Sequence, residues 1–226
     1  MGGSTGGATG RTYRSRSAAE RSADRRERLL AAALELFGTR GRAATSVSDL
    51  CEHAGLSSRQ LYQEFANREA LLFALYDRIN DEAARAVAAE LAGSAADPAP
   101  QRIRAAITAY LRSTAADTRR ARVAFLEVVG VSDEVERERR ERRLRWARML
   151  SVEVAAVIES GALPPQDPMP MLVAFIGALN GLAHEWCLDD HRQPVEDVAE
   201  TLVRLLVGGL TAPPVPRGPA PVRPPQ

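Results

Sequence analysis

The sequence predicts an all-α protein: a three-helix helix-turn-helix domain at the N-terminus, followed by a C-terminal helical bundle. Three observations carry that expectation. Aromatic residues make up only 5% of a chain that is 45% hydrophobic and rich in alanine, a mixture that favours helix over sheet. Apolar residues recur three and four apart through most of the chain, and Ser, Asn or Asp stands at the start of one periodic run after another. Breaks such as GSAADPAP at 93–100 and LPPQDP at 163–168 separate the runs.

The 226 residues are enough for one sizeable core or two small ones. All thirty Lys+Arg residues are arginine, yet the formal net charge is only +1, so nucleic-acid binding must come from local charge. Cys51 and Cys187 lie far apart, and no signal or transit pattern opens the chain, so a reduced, cytoplasmic protein is expected.

Residues 1–20 are rich in Gly, Ser and Thr and carry Arg11, Arg14 and Arg16, a composition expected to be a disordered basic arm able to reach a minor groove. The literal G-x-S-x-G at Gly2 to Gly6 lacks the strand and helix that a hydrolase elbow requires. From Arg21 to Gly38 a helix places Leu30, Ala33, Leu34 and Phe37 on one stripe and Arg21, Arg25 and Arg28 on another, where a basic start can touch phosphate.

The stretch TSVSDLCEHAGLSSRQLYQEF, Thr45 to Phe65, reads as the helix-turn-helix itself. Thr45 or Ser46 caps a helix bearing Val47, Leu50, Cys51 and Ala54, and Gly55 supplies the left-handed residue that a tight turn needs. Ser57 and Gln60 form an S-x-x-Q capping box, with Leu61 and Phe65 on the inner face of the second helix. Ser58, Arg59, Tyr62 and Gln63 are left facing outward, all able to donate hydrogen bonds to phosphates or base edges. Cys51 is small where two steeply crossed helices must approach closely. Asn67 then opens a helix over 67–92 that leaves the small domain, 21–66, and links it to the C-terminal bundle.

The order F-G-x-x-G, T-S-V-x-D-L, A-G-L-S, L-Y-x-x-F, N-R-E-A-L-L over roughly residues 21–76 resembles the N-terminal domain of TetR-family transcriptional regulators. The resemblance implies a homodimeric repressor with a variable C-terminal domain that binds a small effector. It assigns phosphate contacts to Thr45, Ser46, Tyr62 and Arg68, and base reading to Ser48, Ser57, Ser58, Arg59, Gln60 and Gln63. Two positions depart from the pattern: Ala66, and Glu64, whose charge is expected to repel the DNA backbone.

Residues 93–211 form the second domain, with helices expected at 101–116, 118–129, 132–161, 169–189 and 195–208. The run ERERRERRLRWAR pairs Glu136 with Arg140, Glu138 with Arg142 and Glu141 with Arg145 at i,i+4, the pattern of a solvated face. Helix 169–189 is long and apolar enough to suggest a membrane span, but Asn180, His184 and Glu185 make it a buried bundle or interface helix, and no membrane partner is expected. With the last helix, which carries Val198, Leu202, Leu205 and Leu206, it shows more apolar surface than one neighbour covers, so a homodimer through a four-helix interface is expected. Residues 212–226 are a proline-rich tail, expected to be disordered.

Tyr110, Phe125, Trp146, Met149, Phe175, Asn180 and His184 are the candidate walls for a small, largely apolar effector, since each can point into the bundle. No H-E-x-x-H, paired E-x-x-H, P-loop or G-x-G-x-x-G occurs, so neither a cofactor nor catalysis is expected. The carboxylate-imidazole clusters of the second domain, His184-Glu185 and Asp189-Asp190-His191, are read as solvated or capping rather than metal-binding. The partners expected are therefore a duplex DNA operator, a small-molecule effector and a second copy of the chain. The alternatives are a DNA binder with a purely structural second domain and a helical-bundle enzyme.

Overall fold

The structure, a computed structural model, describes residues 17–115, 117–189 and 193–212. The arm at 1–16, the tail at 213–226, and Asp190 and His191 lie outside the described residues. The described residues are helical, with no strand among them: α1 (Ala18–Thr39), α2 (Val47–Ala54), α3 (Ser58–Glu64), α4 (Arg68–Gly93), α5 (Ala99–Ala115), α6 (Thr118–Arg122), α7 (Asp133–Glu159), α8 (Met169–Leu188) and α9 (Val195–Thr211).

Most starts follow the capping chemistry in the sequence. Ser46, Ser57, Asn67 and Ser132 each accept a hydrogen bond from the backbone N–H three residues on, satisfying a donor that the helix leaves orphaned. The first helix begins earlier than expected. Ser17 and Glu20 form a reciprocal capping box, so Ser17 caps α1 and residues 18–20 belong to it and not to the arm.

Gly55 adopts φ +62° after α2, the left-handed conformation that turns the chain into α3. Arg28 closes this turn from outside by donating to the carbonyls of Ala54 and Gly55. Leu50, Cys51, Ala54, Leu61 and Phe65 join Leu29, Ala33, Leu36 and Phe37 of α1 and Leu71, Leu72 and Leu75 of α4 in the core. That core does not stop at the domain boundary. One buried cluster runs from Leu29 to Leu210, because the later half of α4, with Ile79, Ala83 and Val87, packs on α5.

A second link joins the domains, and the sequence did not announce it. α6 lies against α1 so closely that a Cβ on Gly38 would stand 2.4 Å from the Cβ of Arg119. Arg119 pairs with Glu35 of α1, and Glu127 accepts from the backbone N–H of Arg42 at 2.6 Å while pairing with Arg122. The helix expected over 118–129 is not uniform. After Arg122 it widens into a π-helical turn, Val123–Glu127, the kind of irregularity often found at functional sites.

The charged half of α7 also departs from expectation. Glu136 pairs with Arg139 at i,i+3, and Arg142 turns inward, 7% exposed, to meet Asp77 and Asp81 of α4. Tertiary partners outcompete the i,i+4 register because an exposed helix pair contributes only about 0.2–0.5 kcal/mol. α8 is the one helix among the described residues long and apolar enough to cross a membrane, but Leu172, Phe175, Ile176 and Leu179 pack inward with α7 and α9 as its neighbours.

Candidate DNA-reading face and ligand cavity

The outer face of the helix-turn-helix holds Ser48, Ser58, Arg59, Tyr62 and Gln63, all exposed. Tyr62 is 54% exposed, high for a tyrosine, and its ring stands on the same helix face as Arg59 and Gln63. The other candidates on this domain have structural partners. Ser57 and Gln60 hold each other in the α3 capping box, through Oε1 of Gln60. The N–H and hydroxyl of Ser46 both donate to Asp49, whose carboxyl is held below its ordinary pKa by those bonds. Thr45 corrects the expectation of a phosphate ligand: it is 1% exposed, and its hydroxyl donates to the Gly41 carbonyl at 2.8 Å. Arg68 donates to the Thr45 carbonyl, tying the start of α4 to the start of α2.

The basic stripe of α1 is likewise internal in part. Arg25 pairs with Glu64 at 2.6 Å, Arg28 caps α2, and the Arg26 guanidinium stacks over Phe65, 4.4 Å from the ring centroid. Glu64 is therefore not a repulsive charge on the DNA side, because its carboxylate faces α1 and also accepts from the Ser22 hydroxyl.

The Ser22 hydroxyl bond, and then Arg25, hold the Glu64 carboxyl below its usual value of 4.5. A lowered folded pKa means stabilisation that is complete above 4.5 and lost as pH falls through the folded value. Glu64→Gln should lower the melting temperature near neutral pH by about 2–4 °C, the effect of ~1 kcal/mol in a chain of this size, and flatten the acid limb of the stability curve. Melting curves from about pH 7 down to about pH 3 check this. A wild type and variant that lose stability in parallel would exclude the clamp.

Between α4, α5, α7 and α8 lies a narrow cavity of about 40 Å³, room for only a few waters as it stands, so a ligand has to widen it. Of the expected walls, Tyr110, Trp146, Phe175 and Asn180 line it. Tyr110 and Trp146 meet edge to face at 5.0 Å, and burial pushes the Tyr110 hydroxyl well above its ordinary pKa. Phe125, Met149 and His184 do not line it. Phe125 is core, 3% exposed, and its carbonyl is held by Nδ1 of His184 at 2.9 Å, while Met149 packs at the edge of the core.

The expectation of a largely apolar site needs a second correction. Arg139, Arg142 and Arg143 of α7 line the pocket together with Tyr76 and Asn80 of α4, and no carboxylate does. Sequence reasoning assigned these arginines to a solvated face because helical spacing alone cannot tell which side of α7 meets α4. Among the described residues, no group of three or more His, Cys, Asp or Glu side chains stands together as a metal site would require.

The outer face of α8 is apolar and open. Only 33% of its span is buried, Val173 is 45% exposed, and a Cβ on Gly177 or Gly181 would meet nothing within 4 Å. Leu205 of α9 is 50% exposed. Leu202, by contrast, is 1% exposed and belongs to the subunit's own core.

Comparison with known proteins agrees with this architecture. Residues 29–75 match the family described as bacterial regulatory proteins, tetR family, and residues 96–210 match the tetracyclin repressor-like C-terminal domain. The chain is 29% identical over 203 residues to the HTH-type transcriptional regulator EthR of Mycolicibacterium smegmatis, covering 88% of this chain and 93% of that one. It is 26% identical over 202 residues to the HTH-type transcriptional repressor KstR2 of the same organism, covering 84% and 92%. Among solved structures, the fatty acid degradation regulator FadR from Bacillus halodurans superposes with a TM-score of 0.72 at 19% identity, over 82% of this chain and 96% of that one. FadR from Bacillus subtilis in complex with stearoyl-CoA gives 0.69 at 20% identity, over 81% and 98%. At those identities the solved structures show a shared fold, whereas the two family matches cover both the reading head and the bundle. A capped helix-turn-helix with an exposed polar face, set on a helical domain of matching type, identifies the chain as a member of the TetR family of DNA-binding transcriptional regulators.

Proposed function

We propose that this regulator is a homodimeric repressor, acting in the cytoplasm, that holds a roughly palindromic operator and leaves it when a small molecule fills the pocket between α4, α5, α7 and α8. The observation that carries this is the position of α4: its first turns pack in the reading head through Leu71, Leu72 and Leu75, and further along it Tyr76, Asn80 and Val87 line the pocket wall. A ligand that changes the packing there must move the first turns. The contact of α6 with α1 at Gly38 gives the bundle a second hold on the head. A purely structural second domain would have no need of a polar-lined pocket, and the pocket's arginines lack the base-and-nucleophile pairing of an enzyme.

Dimerisation through α8 and α9 accounts for the open apolar strip formed by Val173, Gly177, Gly181 and Leu205. The strip favours a second copy because two-fold symmetry gives each strip its own counterpart, and two heads then meet two equivalent half-sites. That the Bacillus subtilis FadR, of the same fold, is in complex with stearoyl-CoA supports the reading of an effector, here proposed to enter this pocket.

Footprinting on the DNA flanking the protein's own gene should show two-fold symmetric protection. A ligand found by thermal-shift screening that lowers operator affinity must bind the operator-bound dimer more weakly by the same factor, because linkage is reciprocal. Equal ligand affinity with and without operator would sink the effector role.

A further inference from the structure

Arg142 stands where the pocket meets the helix that carries the reading head. It projects from α7, is 7% exposed, and its guanidinium reaches Asp77 and, at 2.9 Å, Asp81 of α4. Those aspartates sit at the surface, 42% and 56% exposed, and neither lines the pocket. Arg142 does line it, and its Nε is buried without a hydrogen-bond partner. Arg139, beside it on the wall, has the same unpartnered buried Nε while its Nη1 donates to both carboxylate oxygens of Glu136. Arg143 adds a third guanidinium with no ion pair among the described residues.

A buried guanidinium Nε without an acceptor is costly, and Arg139 and Arg142 each bring one to the wall of a pocket without a carboxylate. Burial pulls the Arg142 pKa below its ordinary value, with the neighbouring charge of Arg145 acting in the same direction. The aspartates compete poorly for it, since water solvates exposed carboxylates and weakens their ion pairs. A carboxylate or phosphate inside the pocket would accept two parallel bonds from a guanidinium away from water. Past the arginines the walls turn apolar, with Ile107, Leu150, Phe175 and Ile176 around Trp146.

We propose that the effector is an amphiphile with an anionic head, and that this head takes Arg142 from Asp77 and Asp81, untying α7 from α4. The exchange rests on the proposed effector role of the pocket and supplies its trigger. α4 loses a polar tie on the face where it meets α7 while keeping its packing on α5 and α1, so it can tilt and carry the head with it.

The test uses the full-length protein and three probes of equal chain length below their micelle thresholds: dodecanoate, dodecyl phosphate and dodecanol. Calorimetric titration should show the anionic probes binding at least about tenfold more tightly than the alcohol, as expected for a charge-assisted site. Whichever anion binds better tells whether the head is a carboxylate or a phosphate. Asp77→Asn with Asp81→Asn, at exposed positions where folding should survive, removes the internal competitor. That variant should bind the anion roughly tenfold more tightly, have lower operator affinity without ligand, and respond less when ligand is added. Arg142→Met should abolish the preference for anions, but the residue is buried and its loss can unfold the chain, so the aspartate variant carries the decision.

Equal binding of dodecanol, no binding of either anion, or an aspartate variant with unchanged anion affinity would each overturn the exchange. If the anion gains affinity as expected yet operator binding does not respond, the exchange stands and the effector role of the pocket fails. If an uncharged ligand fills the pocket and releases the operator, the effector role stands and the anionic head is wrong.

Discussion

Gly181→Trp is expected to leave the subunit folded, turn the dimer into a monomer, and lower operator affinity by roughly 10²–10⁴-fold, the avidity that joining two binding heads supplies. The position suits the test because the subunit itself has no use for a small residue there. A Cβ added at Gly181 meets nothing within 4 Å, so an indole projects outward without disturbing the helix's own packing. It then stands in the strip with Val173 and Gly177, where the proposed two-fold interface brings a second copy of α8 close. Leu205→Arg, at a 50% exposed site on α9, should act in the same direction by placing a charge in a dehydrated interface.

Leu202→Arg, though on the same helix, tests something else. At 1% exposure that side chain belongs to the subunit core, so arginine there should unfold the bundle rather than separate two folded subunits. Sedimentation velocity and a mobility-shift titration on the Gly181 variant, with circular dichroism to establish folding, separate these outcomes. A Gly181→Trp protein that sediments as a dimer and holds its operator normally would remove α8 from the interface.

The contrast between Leu202 and Leu205 shows where sequence stops being informative. Helical periodicity placed both on an apolar surface, but a subunit core and a subunit interface use the same residue types, and only packing separates them. The helix starts and the turn of the reading head were legible, since their signals are local: Ser46, Ser57 and Asn67 cap by hydrogen bonds within three residues, and Gly55 is set by one backbone angle. Ser17 with Glu20 was an equally local signal, hidden by the composition around it. Contacts distant in sequence were not legible. The close approach of Gly38 to Arg119, the turn of Arg142 toward α4 and the neutralisation of Glu64 by Arg25 depend on how helices are placed together. The pocket was half found for the same reason: Tyr110 and Trp146 are aromatic and invite selection as walls, whereas Arg139 and Arg143 carry helix-surface chemistry until a second helix covers them.

Gln63→Ala and Arg59→Ala should each relax operator preference at particular bases, while Tyr62→Phe should weaken every site alike. Gln63 and Arg59 can each present two donors or a donor and an acceptor to a base edge, worth about 1–3 kcal/mol of discrimination per contact. A symmetric dimer makes the contact twice, so the expected loss is about 2–6 kcal/mol on the cognate operator, or roughly 30-fold and upward. None of this should reach the fold, since both side chains are exposed and Leu61 and Phe65 hold α3 from the opposite face. Tyr62 is also exposed, but its single hydroxyl suits one phosphate oxygen, a contact that positions without selecting. Salt dependence then separates Arg59 from Arg68. An arginine bound to phosphate releases a counterion, so its loss should reduce the slope of affinity against salt by about 1 per head, whereas an arginine bound to a base edge should change sequence preference and leave the slope nearly intact. Titrations of single-base operator variants at two salt concentrations decide between them. If Gln63→Ala and Arg59→Ala leave the preference profile unchanged, the outer face of α3 is not what reads the sequence.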